Sequence, residues 1–329
     1  MRKELGSYIF SEFGGPEALT WVPLNVPTPE EDQLLIRHEA IGVNYIDIYH
    51  RTGKFAAPLP LPSSLGMEGA GVVEVVGSNV KGFESGDRIV YAGGPPGAYS
   101  DIRTVPAARA VKIPDRITSE VAAALFFKSL TAEYLIRRCY SVKPGDVVLV
   151  HAAAGGVGRI LCQWLAHLGA EVIGTVSSDQ KTKIAKANGC VHAIVYSQED
   201  FVESVRDITD GVGVDVVYDS VGKDTFMGSL DCVKTRGTLV SFGAASGPVP
   251  PFDIAQLGAK GSIFLTRPSI AHYTASRHDL QTAADSVFEM IERGVIGAGS
   301  ITRYGLHDAV QAHIDLENRK TTGSLLLIP

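Results

Sequence analysis

Two periodicities divide the chain. From Met1 to about Pro114, apolar and polar residues alternate in short runs such as Gln33 to Glu39 and Ala70 to Val76, with Gly and Pro between them. That pattern predicts a turn-rich, mostly β domain. From about Ser119 to Ser262, apolar runs near Val147, Glu171, Ala193, Asp215 and Thr238 alternate with segments whose apolar residues recur at helical spacing. Such alternation builds a parallel sheet covered by helices on both faces. The remainder, from Ile263, offers a strand (IFLT), a helix around Leu280 to Arg293 and a last strand, Ser324 to Ile328. The predicted fold class is therefore α/β. A β domain of residues 1–118 is completed by 263–329, and a doubly wound parallel-sheet domain, 119–262, is inserted between those parts.

The sharpest local signal is Val147 to Gly158, VVLVHAAAGGVG. Val147 to Val150 read as a strand buried on both faces, and Ile160, Leu161, Trp164, Leu165 and Leu168 lie at helical spacing, so Ala152 to Gly158 form the turn between them. Gly155, Gly156, Val157 and Gly158 would present helix-start N–H groups to a diphosphate, with almost no side chain in the way. The spacing is the dinucleotide fingerprint with alanine, Ala153 or equally Ala152, in place of its first glycine. The next buried run, Ala170 to Val176, ends about 20 residues on, where an NAD site carries an Asp or Glu for the ribose hydroxyls. Ser177 and Ser178 stand there instead, with Lys181 one turn later. Hydroxyl donors and a cation suit the 2′-phosphate of NADPH. Asp179 would repel that phosphate if it pointed inward, and as a first-turn residue it also has an ordinary helix-start role.

Composition narrows the class. The 329 residues, 45% hydrophobic and 20% charged, suffice for two cores of common size. A net charge of −6 with scattered cations argues against a nucleic-acid binder. MRKELGSYIF lacks the apolar segment of a secretory signal, and the longest apolar run, Val121 to Phe127, is too short to cross a bilayer, so a cytoplasmic protein is expected. Cys139, Cys162, Cys190 and Cys232 are widely separated and read as packing residues, with neither a disulfide framework nor a structural zinc. His307 and His313 read as a pair on a helix surface.

The order of GGPEAL, AIGVNYIDIYHRTG, LGMEGAGVVEVVG, GDRIVY, LTAEYL, HAAAGGVG, VVYDSVG, SFG, TRPS and GSLLLIP resembles the quinone oxidoreductase (zeta-crystallin-like) group of the medium-chain dehydrogenases/reductases, over nearly the whole length. The resemblance implies a GroES-like β domain, a Rossmann domain and a cleft between them. Zinc-dependent alcohol dehydrogenases of that superfamily place a Cys at the position of Asn44, an acidic residue at that of Asp47 and a His-Glu pair at Met67-Glu68. Two metal ligands are thus missing, and no metal is expected. Such a site works by placing a hydride donor against an easily reduced acceptor, which suits quinones and activated enones.

The resemblance further implies roles for single residues. Asn44 would donate and accept beside the nicotinamide or the substrate oxygen, although alone it reads as a turn residue. Tyr49 would face the acceptor, positioning it first and giving a proton second, because an ordinary phenol is a weak acid. Phe55 stands where a second tyrosine is common. Asp47 reads as bracing its loop. Thr131 and Tyr134, taken as the start of the LTAEYL helix, would lie beside the nicotinamide ribose and carboxamide, with a helix cap as the plain alternative. Lys128 would orient the cofactor or simply be solvated. Tyr196 would stack near the adenosine phosphate. Ser220, Phe242 and Gly243 lie at carboxyl ends of parallel strands, the edge where open sheets bind ligands. Thr266 and Arg319 complete the implied cofactor set. Ile263 to Thr266 would pair with its copy in a homodimer, covering an apolar edge. The expected function is metal-independent, NADPH-dependent reduction of quinones or other electron-poor small molecules. The alternatives are an NADPH-dependent enone reductase and, from another class, a cofactor-loaded crystallin-like or RNA-binding protein.

Overall fold

A computed structural model describes residues 4–54, 57–318 and 320–329. The chain forms two compact units: residues up to 127 with 274–292 and 297–329, and residues 128–273 with 293–296.

The first unit is built on a seven-stranded sheet. Its spine is Gln33–Val43, which pairs antiparallel with Glu68–Val76 on one side and with Ile102–Pro106 and Ser324–Ile328 on the other. Arg88–Ala92 and Ala110–Lys112 extend one edge, and Ile301–Gly305 lies parallel to Ser324–Ile328 at the other. A three-stranded sheet of Thr20–Pro23, Gly6–Phe10 and Ser63–Ser64 stands beside it. Inward residues of these strands, among them Phe10, Leu34, Ile36, Ile41, Ile89 and Leu327, form one buried core. The register of Gln33–Val43 shifts against Glu68–Val76 after Leu35 and after His38, and such irregularities bend a long strand. The strand leads directly into the helix Tyr45–Arg51.

The second unit is a six-stranded parallel sheet in the spatial order His192–Val195, Glu171–Val176, Val147–Val150, Val214–Asp219, Val233–Ser241, Phe264–Thr266. The strand order reverses between Val147–Val150 and Val214–Asp219, the switch point at which doubly wound sheets bind nucleotides. Val148, Leu149 and Val150 have no exposed surface, as expected of a strand covered on both faces. The segment from Ile263 was expected to return to the β domain, but Phe264–Thr266 hydrogen-bonds in parallel register to Val233–Ser241 as the sixth strand. The chain first returns to the first unit after Tyr273. The division at 127/128 falls inside an element, the helix Ser119–Tyr134. Apolar periodicity marks elements, and a helix or strand does not announce which core it joins.

Candidate functional site

The glycine turn of the second unit has the geometry its sequence implies. The helix Gly156–His167 begins after Gly155, whose backbone is extended, so Gly156, Val157 and Gly158 carry N–H groups with no acceptor inside the helix. Gly155 is exposed and adds no side chain to the mouth of the turn. A Cβ on Gly158 would lie 2.2 Å from the carbonyl oxygen of Ala152 and 2.9 Å from Cα of Ala153, so the hydrogen side chain lets helix and strand close on each other. Ala152 takes the left-handed backbone, with φ at 53°, which is the conformation a leading glycine would otherwise supply. His151 fixes the turn from below: its ring bonds the hydroxyls of Thr175 and Ser229, each at 2.9 Å, while the Ala153 N–H donates to the Thr175 carbonyl.

Ser177 and Ser178 end the strand Glu171–Val176 half-buried, and Ser178 precedes the helix Asp179–Ala187, whose first turn carries Lys181. The Asp179 carboxylate is exposed and accepts a hydrogen bond from the Gln198 amide at 3.2 Å. Tyr196, 46% exposed, follows the next strand, and the Ser197 hydroxyl donates to the Ser177 carbonyl at 3.4 Å. Hydroxyls, a phenol and a cation thus gather at the ends of two adjacent strands and fit the phosphorylated ribose of NADPH.

At the ends of the next two strands, backbone bonds join the loops that follow. Phe242 and Gly243 donate to the Asp219 carbonyl at 2.8 and 3.2 Å, and a Cβ on Gly243 would lie 2.3 Å from the Ser220 carbonyl oxygen. The fully buried Asp219 carboxylate accepts from Val221 N–H at 2.8 Å, Gly222 N–H at 3.0 Å and the Thr225 hydroxyl, shaping the turn that carries Ser220. The sequence reading missed this role, although an acid closing a parallel strand ahead of glycine is a recognisable turn signal. Arg267 was missed too. It follows Thr266, and its guanidinium donates to the Ser241 carbonyl at 2.8 Å.

Thr131 and Tyr134 lie in the last turn of Ser119–Tyr134 and not in a first turn, so neither caps a helix N-terminus. A five-residue π-helical turn, Leu135–Cys139, follows. Tyr134 is buried and stacks on Tyr273 with ring centroids 4.6 Å apart, and burial pushes its phenol well above the ordinary value. Lys128 is buried rather than solvated: its Cε and Cδ lie 3.2 and 3.3 Å from where a Cβ on Gly156 would be, so its stem packs on the glycine turn. Arg319 and Phe55 lie outside the described residues.

In the first unit, Asn44 links the spine strand to the helix Tyr45–Arg51. Seven residues make too short a helix to persist by propensity, so side-chain contacts must hold it. Asp47 starts that work: its carboxylate accepts the Asn44 N–H at 2.9 Å and the Tyr99 hydroxyl at 3.0 Å. The Asn44 amide nitrogen donates to the Glu68 carboxylate at 2.8 Å, and the other oxygen of Glu68 accepts the Phe127 N–H at 2.7 Å. A carboxylate only accepts, which orients the Asn44 amide: the nitrogen faces Glu68 and the carbonyl oxygen does not. Tyr49 is half-buried and meets the exposed Tyr45 edge-on, centroids 5.3 Å apart. Tyr45 was absent from the sequence reading, and the i, i+4 aromatic spacing was the signal available for it.

The fold family raises the question of zinc. At the positions concerned stand an amide (Asn44), a thioether (Met67, buried) and a carboxylate (Glu68) whose two oxygens already hold an amide and a backbone N–H. Thiolate and imidazole are missing from that set, so these residues do not fit a zinc ion. Among the described residues no group of three or more His, Cys, Asp or Glu side chains is arranged to hold a metal. Three of the four cysteines are buried, and all four are free thiols. The sequence separates Cys162 from Cys190, but folding brings their sulfurs to 3.3 Å. His313 is likewise not on a surface, being fully buried.

A doubly wound sheet with this turn, and with hydroxyls and a lysine where an acid would select NAD, defines a nicotinamide-dependent oxidoreductase. Comparison with known proteins places it more narrowly. Residues 30–115 match the alcohol dehydrogenase GroES-like domain and residues 156–289 the zinc-binding dehydrogenase family. The chain is 47% identical to a quinone oxidoreductase of Pseudomonas aeruginosa, over 97% of this chain and 98% of that one. It is 43% identical to a 2-haloacrylate reductase of a Burkholderia species, over 96% of each. The structure of Escherichia coli quinone oxidoreductase complexed with NADPH superposes with a TM-score of 0.96 at 46% identity, covering 98% of this chain and all of that one. The chain belongs to the quinone oxidoreductase group of the medium-chain dehydrogenases/reductases.

Proposed function

We propose that the protein is an NADPH-dependent quinone reductase that works without a metal. The observation that carries this reading is the bond between Asn44 and Glu68, which puts an oriented amide where a metalloenzyme of this fold would hold zinc. Lacking a Lewis acid, the site suits an acceptor that takes a hydride readily, and a quinone is such an acceptor. Bound NADPH supplies that hydride. The N–H groups of Gly156, Val157 and Gly158 bind its diphosphate, and Ser177, Ser178 and Lys181 bind the 2′-phosphate. Tyr196, Ser220, Phe242, Gly243, Thr266 and Arg267 line the remaining strand ends available to it, with Thr131 as a further contact. Tyr134, buried against Tyr273, shapes the wall and does not donate a proton. Asn44 orients the reacting groups through its carbonyl oxygen and remaining N–H, and Tyr49 positions the acceptor.

A second reading, reduction of an activated enone, is favoured by the 2-haloacrylate reductase relative. Steady-state turnover of NADPH and NADH with ortho-quinones, para-quinones and enones tests both. Quinone turnover preferring NADPH is expected. Turnover with enones alone replaces the first reading with the second, and tight NADPH binding with no turnover on either panel refutes both. Among the described residues no helix is long and apolar enough to cross a membrane, and the proposal assigns the protein to the cytoplasm. It also makes the protein a homodimer through Phe264–Thr266, an edge strand whose Phe264 is 64% exposed. Light scattering that gives a monomer would remove that part.

A further inference from the structure

One side-chain chain inside the first unit leads to Asn44. Arg51, in the last turn of the helix Tyr45–Arg51, is 1% exposed and ion-pairs with the half-buried Glu317. Its guanidinium also contacts Nδ1 of His313 at 3.0 Å. Nε2 of His313 lies 2.9 Å from the Tyr99 hydroxyl, and that hydroxyl lies 3.0 Å from the Asp47 carboxylate. Both His313 and Glu317 sit on the helix Ala309–Glu317.

The direction of every bond in this chain is fixed by chemistry. Arginine only donates, so Nδ1 of His313 must accept, and the ring is neutral with its proton on Nε2. That N–H donates to Tyr99 oxygen, which frees the Tyr99 hydroxyl proton for Asp47. Asp47 then accepts the Asn44 N–H. The other tautomer, or a protonated ring, would aim a donor at the guanidinium and break the sequence. Burial, reinforced by the Arg51 charge, pushes the His313 pKa down to about 3, which keeps the neutral form in place. Asp47 and Arg51 lie four residues apart on one face of the helix, so both grips act on the same short element.

We propose that His313 and Tyr99 are positioning residues for the reaction: through Asp47 they fix the backbone of Asn44, and with it the helix that carries Tyr49. This rests on the reading of Asn44 and Tyr49 as the groups that face the reactants. A loose version of the helix would still bind cofactor, because the glycine turn lies in the other unit, but it would lose the orientation of the amide. Positioning errors of this kind act on turnover more than on binding.

The test compares the full-length protein with Tyr99→Phe, His313→Leu, His313→Gln, Asn44→Ala and the Asn44→Ala/Tyr99→Phe double variant. The readings are kcat with a quinone at 25 °C, Kd for NADPH by fluorescence, and Tm. Tyr99→Phe and His313→Leu are expected to lower kcat about tenfold while Kd for NADPH changes less than about twofold. His313→Gln keeps one acceptor and one donor and should retain most of the turnover. The double variant should lose less than the product of the two single losses, because part of the effect of Tyr99 passes through the Asn44 amide; fully multiplicative losses would count against that route. If Tyr99→Phe and His313→Leu lower only Tm and leave kcat intact while Asn44→Ala is slow, the relay is structural and the proposal is overturned. Should Asn44→Ala itself be as fast as the unaltered protein, the role given to Asn44 fails first and the proposal falls with it. If Tyr99→Phe does not fold, the contrast between His313→Gln and His313→Leu decides: equal turnover overturns the proposal.

Discussion

Acid should loosen the first unit through its buried histidines, His38 and His313 above all, well before its carboxylates are all protonated. His38 is held neutral by burial, its pKa pushed down to about 4, while its ring bonds the Ser100 carbonyl at 2.7 Å and the Tyr91 hydroxyl at 2.9 Å. His313 is pushed down to about 3, by burial first and by Arg51 second. In the unfolded chain both return to an ordinary value near 6.5. As pH falls below that value the unfolded state takes up protons that the folded state refuses. The stabilisation is therefore complete above pH 6.5 and is lost progressively toward the folded-state values. At pH 5 the unfolded chain is favoured by about 1.5 pH units at each site, or about 2 kcal/mol per histidine. Hydrogen exchange in peptides covering 33–43 and 68–76 reads the opening free energy of this unit alone. Between pH 7.5 and pH 5, the unaltered protein should lose about 2 kcal/mol more than His38→Gln, and about 2 kcal/mol more than His313→Gln, whatever the variants' stability at neutral pH. Parallel curves for the unaltered protein and both variants would refute the assignment of neutral, buried rings.

Three further outcomes are expected. Lys181→Ala should raise KM for NADPH several-fold more than KM for NADH, since the lost partner is a phosphate contact; equal losses would remove Lys181 from the site. Gly158→Ala drives a methyl group to 2.2 Å from the Ala152 carbonyl oxygen, so NADPH and NADH binding, followed by fluorescence titration, should both weaken by more than about tenfold. Ala152→Gly relieves a left-handed backbone at φ 53° and should leave stability unchanged or raise it by up to about 1 kcal/mol in thermal melts of the apoprotein, whereas a loss of stability would contradict that reading.

The sequence made the architecture of the second unit legible because its strands are short apolar runs and its cofactor turn is local: Val147 to Gly158 carries strand, turn and helix start within a dozen residues. Ser177, Ser178 and Lys181 could be found by counting from that turn. What stayed hidden depends on distant partners. Nothing in the neighbourhood of His313 says that Arg51 and Tyr99 bury it, and nothing near Cys162 points to Cys190. Glu68 looked like a stranded remnant of a metal site until the structure gave its two oxygens to Asn44 and Phe127. Thr131 and Tyr134 were misplaced for a different reason. The helix Ser119–Tyr134 is apolar nearly all round, so no stripe marks where it begins, and its last turn was read as its first.

The way Glu68 is spent also constrains how such a chain could be turned into a metalloenzyme. Asn44→Cys alone would supply a thiolate but remove the amide N–H that the fully buried Glu68 carboxylate now accepts. Replacing Met67 by histidine first would set an imidazole beside a carboxylate still tied to Asn44. The first of these steps, Asn44→Cys, gives up a buried hydrogen bond before any ion can bind. An engineer, or a lineage, would have to cross that gap with several changes made together.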